Sequence, residues 1–171
     1  MNDWLDDELK ELRQSKEDQR RNEDKQEVIR QHTARLFRDM QGLAKDASDR
    51  INAEPELRKK TGGLRCHDGY TDKIIVEKVM LPSIYLTVTY GPNVIDIHRK
   101  IATGPNEDGR DQRESLIVDI DENGHPFFTA KDGSTLSTLG EAVHYIFRLF
   151  LHPELIEGGG SKGVRTGHFR M

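Results

Sequence analysis

Three neighbouring residues, Cys66, His67 and Asp68, are of the types that supply a nucleophile, a base and an acid. In an extended chain, successive side chains point to opposite faces. The three therefore cannot form the hydrogen-bonded relay that nucleophilic catalysis needs. A reactive thiol also requires an electropositive setting. We interpret the segment as an ordinary loop with an unreactive thiol, unless His98 or His125 meets Cys66 in the folded chain.

A second group of polar residues lies on one predicted strand, where Asp96, His98 and Lys100 occur at every second position. Period two places them on one face of the strand, beside polar side chains of the preceding strand. Such a face can bind a polar ligand or carry out acid–base chemistry. It is equally typical of the solvated side of a sheet whose other side is covered by helices. The candidate ligand face comprises Tyr85, Thr87, Asp96, His98 and Lys100.

Four basic residues flank a pair of glycines after the first predicted helix. Cations and backbone N–H groups in such a loop can hold a phosphate, and nucleic-acid binding through them would weaken steeply with salt. The interleaved aromatic residues typical of single-strand binding platforms do not occur there. The candidate phosphate-binding residues are Arg58, Lys59, Lys60 and Arg65, and the C-terminal tail adds Lys162, Arg165 and Arg170.

Two matches to known motifs are interpreted as accidental. The glycines from Gly158 to Gly163 fit G-x-G-x-x-G. The motif requires a strand before it and a helix after it, and the surrounding sequence predicts neither. Residues from Asp119 onward fit half of an EF-hand calcium loop, but its twelfth position, which needs a bidentate Glu, is Ala130. The histidines show no H-x-x-x-H or H-E-x-x-H spacing. We predict no metal site and no cofactor.

Charge divides the chain unevenly. Residues 1–60 contain 14 basic and 15 acidic side chains, whereas residues 61–171 contain 12 and 15. The first part cannot bury much surface alone, and the second resembles a globular domain. We therefore predict a helical arm of residues 1–60, a sheet-and-helix domain of residues 61–156, and a flexible, glycine-rich basic tail of residues 157–171. The net charge of -4 gives no global attraction to nucleic acid or an anionic membrane.

The first part of the chain predicts one long helix or two collinear ones. Residues 3–54 contain no proline and are rich in helix-forming residues, and Pro55 ends the pattern. Apolar residues at helical spacing occur near the start, are missing from residues 13–27, and return as a stripe from Val28 to Ile51. That stripe must be buried against the following domain or another chain. The candidate partner-binding residues are Trp4, Leu5, Leu9, Leu12, Val28, Leu36, Met40 and Leu43.

Beyond the double glycine, the apolar period changes from 3.6 to 2, and turn sequences such as Asn123-Gly124 separate short segments. Thr138 and Glu141 have the spacing of a capping box, which opens a last helix that runs to about His152. The apolar face of this helix is wide enough to be covered on more than one side. We predict an α+β fold with a long N-terminal helix, a five- to six-stranded antiparallel meander and a C-terminal helix packed on the sheet.

These features favour a non-enzymatic protein–protein interaction or assembly module that uses amphipathic helix surfaces to bind a protein partner or a second copy. The predicted helices carry surplus apolar surface, and the sequence shows no complete set of catalytic residues. Amphipathic helices bind partners by placing their apolar side chains in a groove. One alternative is a nucleic-acid-associated protein using residues 58–65 and the tail; another is a small-molecule binder or enzyme at the face around His98. With no apolar run of about 18 residues, no secretory signal and one cysteine, we expect a cytoplasmic protein without a membrane partner.

Overall fold

A computed structural model describes residues 3–157 of the chain. The predicted tail beyond Glu157 lies outside the described residues. The elements in chain order are α1 (Asp3–Ala53), α2 (Pro55–Thr61), β1 (Arg65–His67), β2 (Lys73–Lys78), β3 (Ser83–Tyr90), β4 (Val94–Ala102), β5 (Arg110–Ile120), β6 (Pro126–Ala130), β7 (Thr135–Leu136), α3 (Leu139–Leu151) and α4 (Glu154–Glu157).

The strands form one seven-stranded antiparallel sheet in which spatial order follows sequence order from β1 to β7. The predicted α+β class, with its long N-terminal helix, antiparallel meander and C-terminal helix, is confirmed. The predicted count of five to six strands is too low. The edge strands β1 and β7 contain three and two residues, and segments this short show no readable alternation.

Helix α1 is one continuous helix of 51 residues. Its charge-rich middle is helical and carries side-chain pairs at helical spacing, including Gln19 with Glu23 at 3.0 Å and Arg30 with Glu27 at 2.8 Å. Pro55 then opens the short helix α2, and Gly62 ends it in the left-handed region with φ 73°. The chain turns there toward the sheet.

The core lies between one face of the sheet and two helices, α3 and the second half of α1. Along β4, buried Ile95 and Ile97 alternate with exposed or half-buried residues, so the helices cover the side of the sheet opposite Asp96, His98 and Lys100. Helix α3 begins at the predicted capping box, where Glu141 N donates to Thr138 Oγ1 at 3.1 Å. Seven residues of α3 are buried because the helix packs on the sheet and on α1.

Lys78 is an unexpected part of this interior. It ends β2 on the inward side, is 1% exposed, and its Nζ donates to the carbonyl of Pro82 at 2.8 Å. Burial lowers the pKa of the Lys78 ammonium, because an apolar environment disfavours the charged form. At neutral pH the folded chain therefore carries the desolvation penalty of a buried cation.

We expect Lys78→Met to raise the thermal unfolding midpoint at pH 7, since methionine fills a similar volume without a charge. Above the unfolded lysine pKa, about 10.4, the amine is neutral in both states and the penalty disappears. When the pH falls below the unfolded pKa, the unfolded chain binds a proton while the folded chain does not yet, so folding becomes less favourable. Once the pH is below the lowered folded pKa, both states are protonated and the full desolvation penalty is present. The difference between the two midpoints should therefore shrink from pH 7 to pH 10. A difference that stays constant with pH would contradict this account.

Candidate protein-interaction surface

The first half of α1 is exposed although it carries large apolar side chains. Residues 4–28 are exposed throughout, and Lys25 forms an ion pair with Asp119 of β5 at 3.1 Å. Trp4 is 68% exposed, and Leu5, Leu9 and Leu12 are 44%, 44% and 56% exposed. Because the leucines recur at i, i+4 and i+7, they share one face of the helix. We call residues 4–12 the docking segment.

The second half of α1 is buried on a face rotated by one residue from the predicted stripe. Met40 and Ile51 are buried in the core of their own chain, which is one of the two outcomes that the stripe allowed, and Leu36 packs against that core. Val28 and Leu43, by contrast, are 41% and 39% exposed. The positions that fill the core instead are Ile29, Thr33, Phe37, Ala44 and Ser48.

Met40 requires a correction as a candidate partner-binding residue. Its side chain is 0% exposed in the core of its own chain, so it offers no surface to a partner. Sequence alone could not decide between the two faces, because apolar residues occupy adjacent positions such as Leu36 and Phe37. Neighbouring helical positions lie about 100° apart around the axis, so a shift of one residue changes which face of the helix is buried.

A groove of about 670 Å³ lies between α1 and α3. Its base includes the buried side chains of Val143 and Phe147 from α3. Leu43, Ala47 and Leu151 line it with side chains that are exposed or half-buried. We call this feature the α1–α3 groove. It presents a partly open apolar surface bounded by two helices, which is the kind of site that accepts an amphipathic helix.

The surroundings of the α1–α3 groove carry both signs of charge. Asp46, Arg50 and His144 lie along its rim and are exposed. The predicted phosphate-binding residues Arg58, Lys59 and Lys60 lie in the last turn of α2, are exposed, and are not among the residues that line the groove. The pKa of the Glu154 carboxyl group, just after α3, is lowered mainly by a hydrogen bond from its own backbone N–H and then by His152, with Lys60 contributing least.

Arg65 stands apart from the other three predicted phosphate-binding residues. It begins β1, is exposed, and pairs in register with Glu77 of β2. The predicted group is therefore divided between a helix end and a sheet edge. Two left-handed glycines, Gly62 and Gly63, separate the two parts.

The candidate ligand face lies on the side of the sheet opposite the core. In register, Tyr85 faces Lys100, Thr87 faces His98 and Thr89 faces Asp96, so the predicted residues are brought together. His98 Nε2 lies 2.7 Å from Asp111 Oδ1 across β4 and β5. These groups form an exposed to half-buried polar surface, and a shallow cleft of about 320 Å³ reaches Tyr85 and Lys100 at its edge.

The residues Cys66, His67 and Asp68 separate in the fold, as the sequence predicts. Burial raises the pKa of the Cys66 thiol, which keeps it protonated and unreactive. His67 Nε2 lies 3.4 Å from Glu77 Oε2, and Asp68 accepts from Lys45 Nζ at 3.0 Å. Among residues 3–157, no three His, Cys, Asp or Glu side chains are grouped so that they could hold a metal ion.

The predicted half EF-hand segment forms a turn between β5 and β6. Asp121 Oδ1 accepts from the backbone N–H groups of Asn123 and His125 at 2.9 Å and 2.8 Å. These hydrogen bonds lower the pKa of Asp121, with His125 the larger contributor. The carboxylate therefore closes the turn, which explains its position without a bound cation.

Sequence reasoning missed a buried ion cluster on the inward face. Arg99 is 1% exposed; its Nη1 donates to Glu114 Oε2 at 3.0 Å and its Nη2 donates to the carbonyl of Ile146 at 3.2 Å. Arg148 of α3 reaches Glu114 Oε1 at 3.3 Å and lies over the Tyr145 ring, 4.1 Å from its centroid. The available signal was the position of Arg99 in the inward alternation of β4.

Comparison with known proteins gives no match, since no family model, no curated protein and no solved structure resembles the chain. Within the described residues, no helix combines the length and the apolar character needed to cross a membrane.

Proposed function

We propose that the protein is an interaction module whose docking segment, residues 4–12 of α1, binds a protein partner. The supporting observation is a continuous helix whose first half is exposed, with Trp4 and three leucines on its surface. Burying a fully exposed leucine side chain contributes about 1.5–3 kcal/mol, and Leu5, Leu9 and Leu12, which are 44–56% exposed, gain about half of that each. That free energy becomes available to these side chains only when a partner covers them.

The other surfaces give weaker support to the alternatives. The polar groups around His98 lie on an exposed to half-buried surface, whereas binding sites for small molecules are usually concave and mostly apolar. The basic residues of α2 and β1 are split between two elements. We therefore favour a non-enzymatic role. Placing the protein in the cytoplasm rests on its single cysteine, Cys66.

The test replaces Leu5, Leu9 and Leu12 together by glutamine, whose helix propensity is close to that of leucine. We expect this docking-segment variant to lose the complexes that the wild-type chain forms when it is cross-linked in intact cells and analysed by mass spectrometry. Its unfolding free energy should stay within about 0.5 kcal/mol of wild type, because exposed sites contribute little to the fold.

A matched control changes three polar residues of the same exposed half of α1, Gln14, Gln19 and Gln26, to alanine. This control should keep every complex of the wild-type chain. If the docking-segment variant and the wild type formed the same complexes, the proposed function would be wrong.

A further inference from the structure

The α1–α3 groove combines an apolar base with acidic side chains that have no partner. Val143 and Phe147 form the base. Asp46 and Asp49 line the groove against one basic residue, Arg50. In the described part of the chain, no ion pair includes either of the two carboxylates. An occupant of this groove should therefore combine apolar side chains with positive charge.

The docking segment does not meet this requirement, because it carries four acidic side chains against one basic side chain. Its net charge therefore has the same sign as that of the groove lining. It also belongs to the same unbroken helix as the groove wall, and Leu9 lies 38 residues, or about 57 Å, before Ala47 along the axis. A segment of this chain that fills its own groove must come from elsewhere in the sequence.

The sequence beyond the last described residue, Glu157, has both of the required properties. Residues 158–171, which we call the basic segment, contain no acidic side chain, three basic ones and three large apolar ones. These side chains are Lys162, Arg165, Arg170, Val164, Phe169 and Met171. The basic segment is therefore opposite in charge to the groove lining and can supply apolar side chains to the base.

The basic segment begins close enough to reach the groove of its own chain. Leu151 lines the groove, and α4 follows it after two residues and ends at Glu157. Since a helical residue adds about 1.5 Å and an extended one at most about 3.6 Å, Leu151 and Glu157 are at most about 15 Å apart. The α3 side of the groove, from Gly140 to Leu151, is about 17 Å long. Phe169 lies 12 residues beyond Glu157, a stretch that spans up to about 40 Å, so every part of the groove is within its reach.

Attachment to the same chain favours the basic segment over a separate occupant. A tether of about a dozen residues holds a binding group at an effective concentration on the order of 1 mM. A separate partner present at about 1 μM would have to bind about 1000-fold more tightly to occupy the groove equally. A contact that is weak between two molecules can therefore fill the groove from within one chain.

We propose that the basic segment occupies the α1–α3 groove of its own chain. Val164 and Phe169 lie on the apolar base, and Lys162 lies beside the two carboxylates. This inference does not rest on the proposed function, because the docking segment takes no part in it. The groove is then covered from within, and the exposed leucines of the docking segment are the apolar surface left for a protein partner.

The experiment couples carboxylates to amines in the full chain with a water-soluble carbodiimide, which joins only groups in direct contact. Lys162 is the only lysine of the basic segment, and mass spectrometry of the digested protein identifies its partners. We expect its main products with Asp46 and Asp49. The ion pair of Lys45 with Asp68, at 3.0 Å, gives a reference product in every sample. An equal mixture of isotopically labelled and unlabelled chains shows whether a product joins one chain or two, and we expect one.

Variants of the basic segment separate docking from chance collisions of a tethered lysine. Replacing Val164 and Phe169 together by serine should lower the yield of these Lys162 products about ten-fold, because the apolar contacts are lost while every charge is kept. The matched control replaces two polar residues of the same segment, Ser161 and Thr166, by alanine. This control should keep the wild-type yield.

A second pair of variants tests the groove. Leu43→Arg removes an exposed apolar side chain from the groove wall and adds a charge of the same sign as the basic segment, so it should also lower the yield about ten-fold. Val28→Arg makes the same kind of change at an exposed position of α1 outside the groove. This control should react like wild type, and unfolding midpoints should confirm that both variants fold.

Three results would overturn the inference. If Lys162 gave no product with Asp46 or Asp49 although the reference product formed, the basic segment would not lie in the groove. An unchanged yield after the serine replacements of Val164 and Phe169 would show that the products come from collisions alone. Products that join labelled to unlabelled chains would assign the groove to a second copy. The proposed function is tested separately, since it fails only if complexes in cells survive the loss of the three leucines.

Discussion

Replacing Glu114 with alanine is expected to lower the unfolding free energy by about 3–5 kcal/mol, the usual effect of removing one partner of a buried ion pair. Glu114 accepts hydrogen bonds from Arg99, Arg148 and Gln112 at 3.0–3.3 Å. Without it, the Arg99 guanidinium would keep its charge in the interior with only the Ile146 carbonyl as a partner. Burial already lowers the pKa of Arg99, and Glu114 opposes that shift.

The measurement is urea unfolding, and Glu77→Ala is the matched control. Glu77 is a carboxylate of the same sheet, but it lies on the outer face, where it is 31% exposed and 3.4 Å from His67. A pair of this kind contributes about 0–1 kcal/mol, so the control should unfold almost like wild type. Equal losses of unfolding free energy in the two variants would show that the buried ion cluster stabilises the fold no more than the exposed pair does.

The ion cluster also connects the sheet to the groove. Arg99 on β4 donates to Ile146, and Arg148 approaches Glu114 on β5, so the cluster ties α3 to two strands. Val143 and Phe147, which form the base of the groove, lie within a turn of these contacts. Hydrogen bonds have directional geometry, whereas apolar packing alone tolerates sliding of a helix. The cluster therefore fixes how α3 lies on the sheet, and with it the base of the groove.

Much of the fold follows from local patterns that agree with one another. The alternation around Ile97, the capping box at Thr138 and the uninterrupted helix-forming residues before Pro55 each predict the observed element. These signals are readable because side-chain periodicity is set by the backbone itself. The edge strands were not predicted because they are short and their hydrogen bonds depend on a neighbouring strand.

The candidate site was only half predictable. The exposed leucines of the docking segment can be read from the sequence, because a helix flanked by a block without apolar residues leaves them uncovered. The groove could not be predicted, since it is lined by residues such as Ala47 and Phe147 that are far apart in the chain. The alternation of β4 places Arg99 on the inward face, but its charge argues for an exposed side chain, and its partner Glu114 could not be predicted from the sequence.

Phe37→Ala is expected to destabilise the entire fold by about 3–5 kcal/mol. The Phe37 side chain is 0% exposed, and its ring centroid lies 4.6 Å from that of Tyr90 on β3. Removing the ring leaves a cavity between α1 and the sheet. Since this half of α1 shares one core with the sheet and α3, we expect the loss to appear in a single cooperative transition, followed by both circular dichroism and the fluorescence of the tyrosines.

This expectation tests the division between a helical arm of residues 1–60 and a domain of residues 61–156, which stays a prediction. Leu12→Ala is the control, because Leu12 lies on the same helix but is 56% exposed, and it should change stability by less than about 0.5 kcal/mol. If Phe37→Ala melted helical signal early and left the sheet transition unchanged, the arm would be a separate unit. If the helical signal and the sheet lost stability together, the second half of α1 would be part of the folded core. Only the exposed first half of α1 would then be free to bind a partner.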